Sequence, residues 1–238
     1  MGCVDCPIRK LPPFRPFEPA ELEFVNSFKR GELAVDRGAT VLVEGNSSAH
    51  LYTVLSGWAF RYKMLEDGRR QILNYALPGD LIGLQAGLMG VMEHSIEALT
   101  PLRLCVFERS GMDELYRNYP GLAFDVTWLA SREEQLLDEN LLSIGRRSAI
   151  ERTAYLLASL HARSVALGTA PKAVLPISQQ HVADTLGFSI VHTNKTLRKL
   201  AIQGYIEWAE GGCRVVRSGA LARIAHWEQV NTRKRPLI

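Results

Sequence analysis

His192, Asn194 and Lys195 fall within four consecutive residues of the stretch Ile177 to Leu200, ISQQHVADTLGFSIVHTNKTLRKL. An asparagine amide laid flat against adenine bonds it twice. A lysine reaches guanine or a phosphate, and a histidine donates or accepts at a base edge or a phosphate. Arg198 and Lys199 follow one turn later, suited to phosphate or to solvent. Ser178, Gln179 and Gln180 stand a dozen residues upstream, where they can bond backbone phosphates. The partner these groups imply is duplex DNA, read in its major groove.

Such groups work only if a rigid element presents them together. The stretch reads as two short helices joined by a tight turn at Leu186-Gly187-Phe188-Ser189. Val182, Ala183 and Leu186 make the apolar face of the first helix, and Val191, Leu197 and Leu200 can make that of the second. Gly187 sits where the first helix must stop and the chain must turn. Ser178 and Ser189 are placed as N-caps, so Ser189 opens the part of the second helix that would enter a groove. This is a helix-turn-helix with a basic second helix.

Charge is distributed to match. The net charge of +3 divides into −5 over residues 1–146 and +8 over residues 147–238. A basic C-terminal third suits phosphate binding with counterion release. With 238 residues the chain can hold two small domains. No apolar run approaches the ~18 residues of a membrane span, and MGCVDCPIRK lacks the apolar core of a signal peptide. The expected location is the cytoplasm. Four cysteines (Cys3, Cys6, Cys105 and Cys213) are too few and too scattered for a disulfide framework, and Cys213 reads as an exposed incidental thiol.

Along the chain, residues 1–18 read as an irregular, proline-rich leader and residues 19–117 as a sensor domain opening with a short helix at Glu18–Arg30. The runs TVLVEG, HLYTVLSGWAFRYKM, QILNYALPGD and LRLCVFE alternate with glycine turns, an antiparallel β pattern. Residues 118–145 read as one long helix. Leu122, Leu129 and Leu136 lie seven apart, and Val126, Leu137, Leu141 and Ile144 widen the stripe, which invites a partner helix and so a homodimer. Gly145-Arg146-Arg147 reads as a hinge, and Gly168-Thr169-Ala170-Pro171 ends the helix that follows it. Residues 146–217 assemble into a winged helix-turn-helix, the wing flanking Ala209–Cys213. Residues 218–238 form a tail with a short helix near Leu221–Val230 and a loose basic end, Arg233-Lys234-Arg235. The fold class is α+β.

A β-roll, a long helix and a winged helix-turn-helix in that order resemble the Crp/Fnr family of bacterial transcription regulators. GATVLVEG at 38–45, LYTVLSGWAF at 51–60 and PGDLIG at 78–83 resemble its β-roll motifs. His192, Asn194 and Lys195 resemble the His-x-Asn-Arg signature of one subgroup, with lysine replacing the planar arginine fork. Ile190 and Val191 stand where the better-known Arg-Glu pair would be. The resemblance implies a DNA-binding regulator, a homodimer on a near-palindromic operator, and contact with RNA polymerase if it activates. It also implies two ligand sites to test. In the cyclic-nucleotide cassette the acidic position falls on Leu84 and the arginine position on His94, followed by Ser95, so cyclic AMP is not expected. In the iron-sulfur pattern Cys3, Cys6 and Cys105 match, but Leu11-Pro12-Pro13-Phe14 occupies the neighbourhood of the missing cysteine. Four thiolates are the usual set, so the expectation is a small core thiol at Cys105 and no cofactor. A second class of reading is a ligand- or redox-sensing β-roll whose DNA binding has weakened or been lost. No motif for catalysis is present, and the expectation is that the chain is not an enzyme.

Overall fold

The computed structural model describes residues 2–169, 173–227 and 234–238. The expected helix end at Ala170-Pro171, the end of the tail helix at Val230, and Arg233 lie outside them. By its contacts the chain divides into two units. One comprises Met1–Lys63, Tyr75–Gln135 and Arg233–Ile238; the other comprises Met64–Asn74 and Leu136–Thr232.

The first unit begins with α1 (Pro19–Phe28), which has proline in its first turn and a capping box between Glu18 and Glu21. Then come β1 (Lys29–Val35), β2 (Thr40–Leu42), β3 (His50–Ser56), β4 (Ala59–Met64), β5 (Arg70–Ala76), β6 (Leu81–Ile82), α2 (Leu84–Met89), β7 (Ser95–Ala98) and β8 (Leu102–Glu108), with the outer end of the β4–β5 hairpin, Met64–Asn74, counted by its contacts in the second unit. Two four-stranded sheets form, ordered β1-β8-β3-β6 and β2-β7-β4-β5. The long central strands are buried on both faces, and the two-residue period sorts their side chains. Tyr52, Val54, Leu102 and Leu104 pack into one core with Ile82, Met92 and Ile96. Leu51, Cys105 and Phe107 point the other way, into a core with Phe24, Val25 and Phe28 of α1.

That second core is closed by α3 (Met112–Asn118) and the first turns of α4 (Pro120–Arg146), through Leu115, Leu122 and Val126. The chain ends also close it. Cys3, Cys6, Ile8 and Phe14 of the leader are buried. Arg15 clamps Asp125, with Nε donating at 2.9 Å, and Glu21, with Nη1 donating at 2.9 Å. The basic end is not loose where it is described. Arg235 pairs its backbone with Pro13 and Arg15, its guanidinium donates to Asp80 at 2.8 Å, and it lies 4.9 Å from the centroid of Phe14. Leu237 and Ile238 are buried, and the Thr53 hydroxyl donates to the Ile238 carbonyl. The reason is composition: apolar Leu237 and Ile238 follow the charges, and burying them outweighs ordering a short segment.

The second unit is organised on α5 (Ala149–Ala166), whose Ser148–Glu151 capping box closes its N-terminus. Ala154, Tyr155, Leu156, Leu157, Ala158 and Leu160 are buried almost all round the helix, because other elements pack on every side. These are β9 (Val174–Leu175), α6 (Gln179–Leu186), α7 (Ile190–Ile202), β10 (Ile206–Ala209), β11 (Gly212–Val215) and α8 (Ser218–Ile224). The three strands form one sheet ordered β10-β11-β9. Gly212 is required there: at φ +148° a Cβ would lie 1.9 Å from the Leu175 carbonyl oxygen.

Two sequence expectations change in this unit. The hinge read at Gly145-Arg146-Arg147 narrows to its last residue: α4 runs through Gly145 to Arg146, and the break falls at Arg147 and Ser148, where the next cap begins. Cys213 is not an exposed thiol. It is fully buried, since the period of β11 turns it inward, and burial pushes its pKa up to about 12. Among the described residues no helix is long and apolar enough to cross a membrane.

Candidate DNA interface

Helix α6 starts at Ser178, whose hydroxyl accepts from the His181 backbone N–H at 3.1 Å. It stops at Gly187, whose φ of +66° is the left-handed conformation that glycine adopts without Cβ strain. Helix α7 then starts at Ser189, whose hydroxyl accepts from the His192 N–H at 3.2 Å. Two serine caps and one glycine therefore set where both helices begin and how the second leaves the first.

The buried side of α7 is Thr193, Thr196, Leu197 and Leu200. Thr193 and Thr196 turn their hydroxyls back to the carbonyls of Ser189 and His192, so their methyl groups can face the core. Val191 is not part of this face. It is 60% exposed, because position 191 lies on the side opposite 193, 196, 197 and 200. The exposed side carries two rows at helical spacing. His192, Lys195 and Lys199 form one, and Val191, Asn194 and Arg198 the other, all exposed. Val191, with Ile190 beside it, is thus exposed on the face that carries Asn194, whereas the sequence reading placed it with Leu197 and Leu200. Its signal was present: it lies three residues before Asn194, on the same face. An exposed valine there suits a thymine methyl group.

The first row borders a groove of about 500 Å³ between α7 and the start of α5, lined by Ser148, Ala149, Ile150, Lys195, Arg198 and Lys199. The N-terminus of α5 beside it is already capped by Ser148 and the Glu151 carboxylate, so the anion-attracting groups of the groove are Lys195, Arg198 and Lys199. Ser178, Gln179 and Gln180 open α6, with Ser178 and Gln180 exposed. Gln180 is not simply presented outward: its amide donates to Asp184 at 2.6 Å. Asp184 is in turn held by Arg70, with Nε at 2.9 Å, and Gln71 donates to the Thr185 carbonyl at 2.8 Å. The outer end of the β4–β5 hairpin therefore braces α6. Further support comes from Asn140, which donates to the Leu73 carbonyl at 2.8 Å.

The described side chains at the two implied ligand sites can be tested for fit to a ligand. Leu84 opens α2, and His94 is buried. Burial, then the nearby Arg61 and Lys63, push the His94 pKa down to about 4, so the imidazole is neutral. Its Nε2 has no hydrogen-bond partner among the described residues. Arg61 donates to the Leu81 carbonyl and pairs with Glu133 at 3.1 Å, and Lys63 pairs with Glu44 at 2.9 Å. A neutral histidine and two already paired cations do not fit a cyclic phosphate.

The thiols Cys3 and Cys105 share one core, with Cys6 buried nearby. Burial pushes the Cys105 pKa up to about 11, so this thiol is protonated at neutral pH. The fourth cysteine, Cys213, belongs to the other unit. Among the described residues no group of three or more His, Cys, Asp or Glu side chains is arranged to hold a metal ion. The donor set does not fit an iron-sulfur cluster.

Comparison with known proteins matches both parts of the chain in order. A cyclic nucleotide-binding domain model matches residues 32–119, and a Crp-like helix-turn-helix domain model matches residues 151–224. The nitrogen fixation regulation protein FixK of Bradyrhizobium diazoefficiens is 33% identical over 225 residues, which is 94% of this chain and 93% of that protein. The transcriptional activatory protein AadR of Rhodopseudomonas palustris is 34% identical over 167 residues, 70% of this chain and 69% of that one. The solved structure of FixK2 from Bradyrhizobium japonicum superposes with a TM-score of 0.74 at 25% identity, covering 85% of this chain and 98% of that chain. A regulator one-third identical along nearly its whole length leaves little of this chain outside the match. The protein belongs to the Crp/Fnr family and is a DNA-binding transcription regulator with a helix-turn-helix domain.

Proposed function

We propose that two copies pair through the exposed stripe of α4 and place their α7 helices in successive major grooves of a near-palindromic operator, about 34 Å apart. His192, Asn194 and Lys195 read base edges, with Val191 against a thymine methyl. Ser178, Gln179, Ser189 and Arg198 hold backbone phosphates, and Gln180 joins them when it leaves Asp184. The observation that carries this reading is the pair of exposed rows on α7, in a C-terminal stretch, residues 147–238, whose net charge is +8. The protein acts in the cytoplasm, performs no catalysis, and is not controlled by cyclic AMP. AadR is named as an activatory protein, which favours activation through RNA polymerase here as well.

Selection of duplexes from a random pool, followed by gel shifts over a salt series, tests the proposal. The expected result is a near-palindromic sequence bound with a steep inverse dependence on salt. An asymmetric single half-site, or binding indifferent to sequence, would overturn it.

A further inference from the structure

We propose that Arg152 is a positioning residue that couples the end of α4 to the base-reading face of α7. The inference rests on His192 being a reader. Arg152 lies in the first turn of α5. Its Nη1 donates to the Ile144 carbonyl, in the last turn of α4, at 3.2 Å. It also donates to the Leu186 carbonyl, the last residue of α6, at 3.4 Å. Both carbonyls belong to helix ends that lack intrahelical donors and carry partial negative charge, so a cation is favoured between them. The same guanidinium lies over the Phe188 ring, 4.2 Å from its centroid. Phe188 in turn meets the His192 imidazole, with centroids 4.6 Å apart and planes at 46°. A continuous column thus runs from the long helix, through a guanidinium and a phenyl ring, to a residue of the reading face.

The chemistry of each member suits this role. Phe188 is the third residue of the Leu186-Gly187-Phe188-Ser189 turn, half-buried, and the ring stands between Arg152 and His192. Arg152 Nε is buried and has no hydrogen-bond partner among the described residues. The guanidinium is therefore not placed to satisfy all its donors. It is placed to reach two carbonyls with one edge and a ring with its face, which a lysine ammonium cannot do. A shift of the Ile144 carbonyl displaces one anchor of the guanidinium, and the ring and the imidazole lean on the other side. Arg152 and Phe188 therefore set which way His192 points and let the end of α4 change it.

The test uses the full-length protein and the duplex that the wild-type chain selects from a random pool. His192→Ala, Arg152→Lys and Phe188→Leu are compared by base preference at every operator position, and the His192 ring protons are followed by NMR without DNA. Arg152→Lys and Phe188→Leu should each relax, about tenfold, the one base pair that His192→Ala relaxes, and should shift the His192 ring resonances. Preference at other positions, and non-specific affinity, should hold. If either variant fails to fold, the other still decides the matter. Loss spread evenly over all positions would mark a structural role and overturn the proposal, as would unmoved His192 resonances. If the stack variants leave the base pair intact while His192→Ala relaxes it, the proposal falls and the reading of His192 stands. If His192→Ala relaxes nothing, that reading falls and takes the proposal with it.

Discussion

Truncating Leu141 tests the pairing of two copies most directly. Helix α4 buries Leu122 and Val126 in the first unit, yet leaves Leu137 39%, Leu141 71% and Ile144 39% exposed. Three apolar residues at spacings of four and three, facing water, are what the proposed helix pair would bury. Fully burying a leucine side chain contributes about 1.5–3 kcal/mol, and seven-tenths of Leu141 remains to be buried, so each copy gains about 1–2 kcal/mol at this position. A symmetric pair counts it twice, about 2–4 kcal/mol, and tenfold in affinity corresponds to about 1.4 kcal/mol. Leu141→Ala should therefore raise the dimer dissociation constant about 30- to 1,000-fold. The substitution keeps a good helix former, so the monomer should remain folded. Sedimentation equilibrium measures the constant, and operator affinity should fall with it, because two half-sites are then no longer bound by one linked pair. Leu122→Ala is the control: it opens a cavity in the first unit, costs about 2–5 kcal/mol of stability, and leaves pairing unchanged while the protein is folded. If Leu141→Ala leaves the dissociation constant within a factor of three of wild type, α4 does not pair along this face.

Four further measurements probe other parts of the argument. Asn194→Ala should weaken operator binding by about 1–3 kcal/mol, with non-specific binding nearly unchanged. Equal loss in both gel shifts would make Asn194 a scaffold residue. His94 is held neutral in the fold, with a pKa of about 4 against 6.5 for the free side chain. Above pH ~6.5 it contributes no pH dependence. As pH falls from there towards 4 the unfolded chain takes up a proton that the fold refuses, and stability drops by about 3 kcal/mol in total. Acid unfolding of His94→Leu should lack that component, and identical acid profiles for the two proteins would refute it. Arg70→Ala removes charge-assisted bonds to the half-buried Asp184, worth about 1.5–3 kcal/mol. Amide exchange at residues 66–71 should quicken, and unchanged exchange would show that the hairpin does not depend on this pair. Cys105 and Cys213 are both buried, and burial holds both thiols protonated, so neither should react with a thiol reagent until the chain unfolds. Prompt labelling of either in the native protein would contradict the placement.

The helix-turn-helix was readable because its instructions are local. Ser178, Gly187 and Ser189 act within three residues of themselves, on caps and a turn, and no distant partner can alter what they specify. The alternation of the long central strands was readable for the same reason. What escaped was set by packing between distant segments. Leu237 and Ile238 look like the end of a charged tail until Thr53 and the leader receive them. Cys213 sits beside a glycine turn, a place that suggests exposure, yet its inward side is chosen by the pairing of β11 with β9. The hinge read at Gly145-Arg146-Arg147 opens only at Arg147, because the capping box at Ser148 sets where the next helix starts.

Val191 shows why the reading face was only partly legible. From periodicity alone, 191 can join 197 and 200 as a loosely apolar set, and a valine invites burial. The threonines at 193 and 196 decide otherwise. Each satisfies its hydroxyl on the carbonyl four residues back and can then present a methyl group to the core. Once they are inside, the geometry of the helix puts Val191 outside with Asn194 and Arg198. An exposed valine on a DNA-binding helix costs solubility and contributes nothing to the isolated fold. A partner with a methyl group to bury would account for it. Val191→Ala should thus lower operator affinity at one thymine-containing position and leave the melting temperature unchanged. If instead the melting temperature fell while operator preference held, Val191 would belong to the core after all.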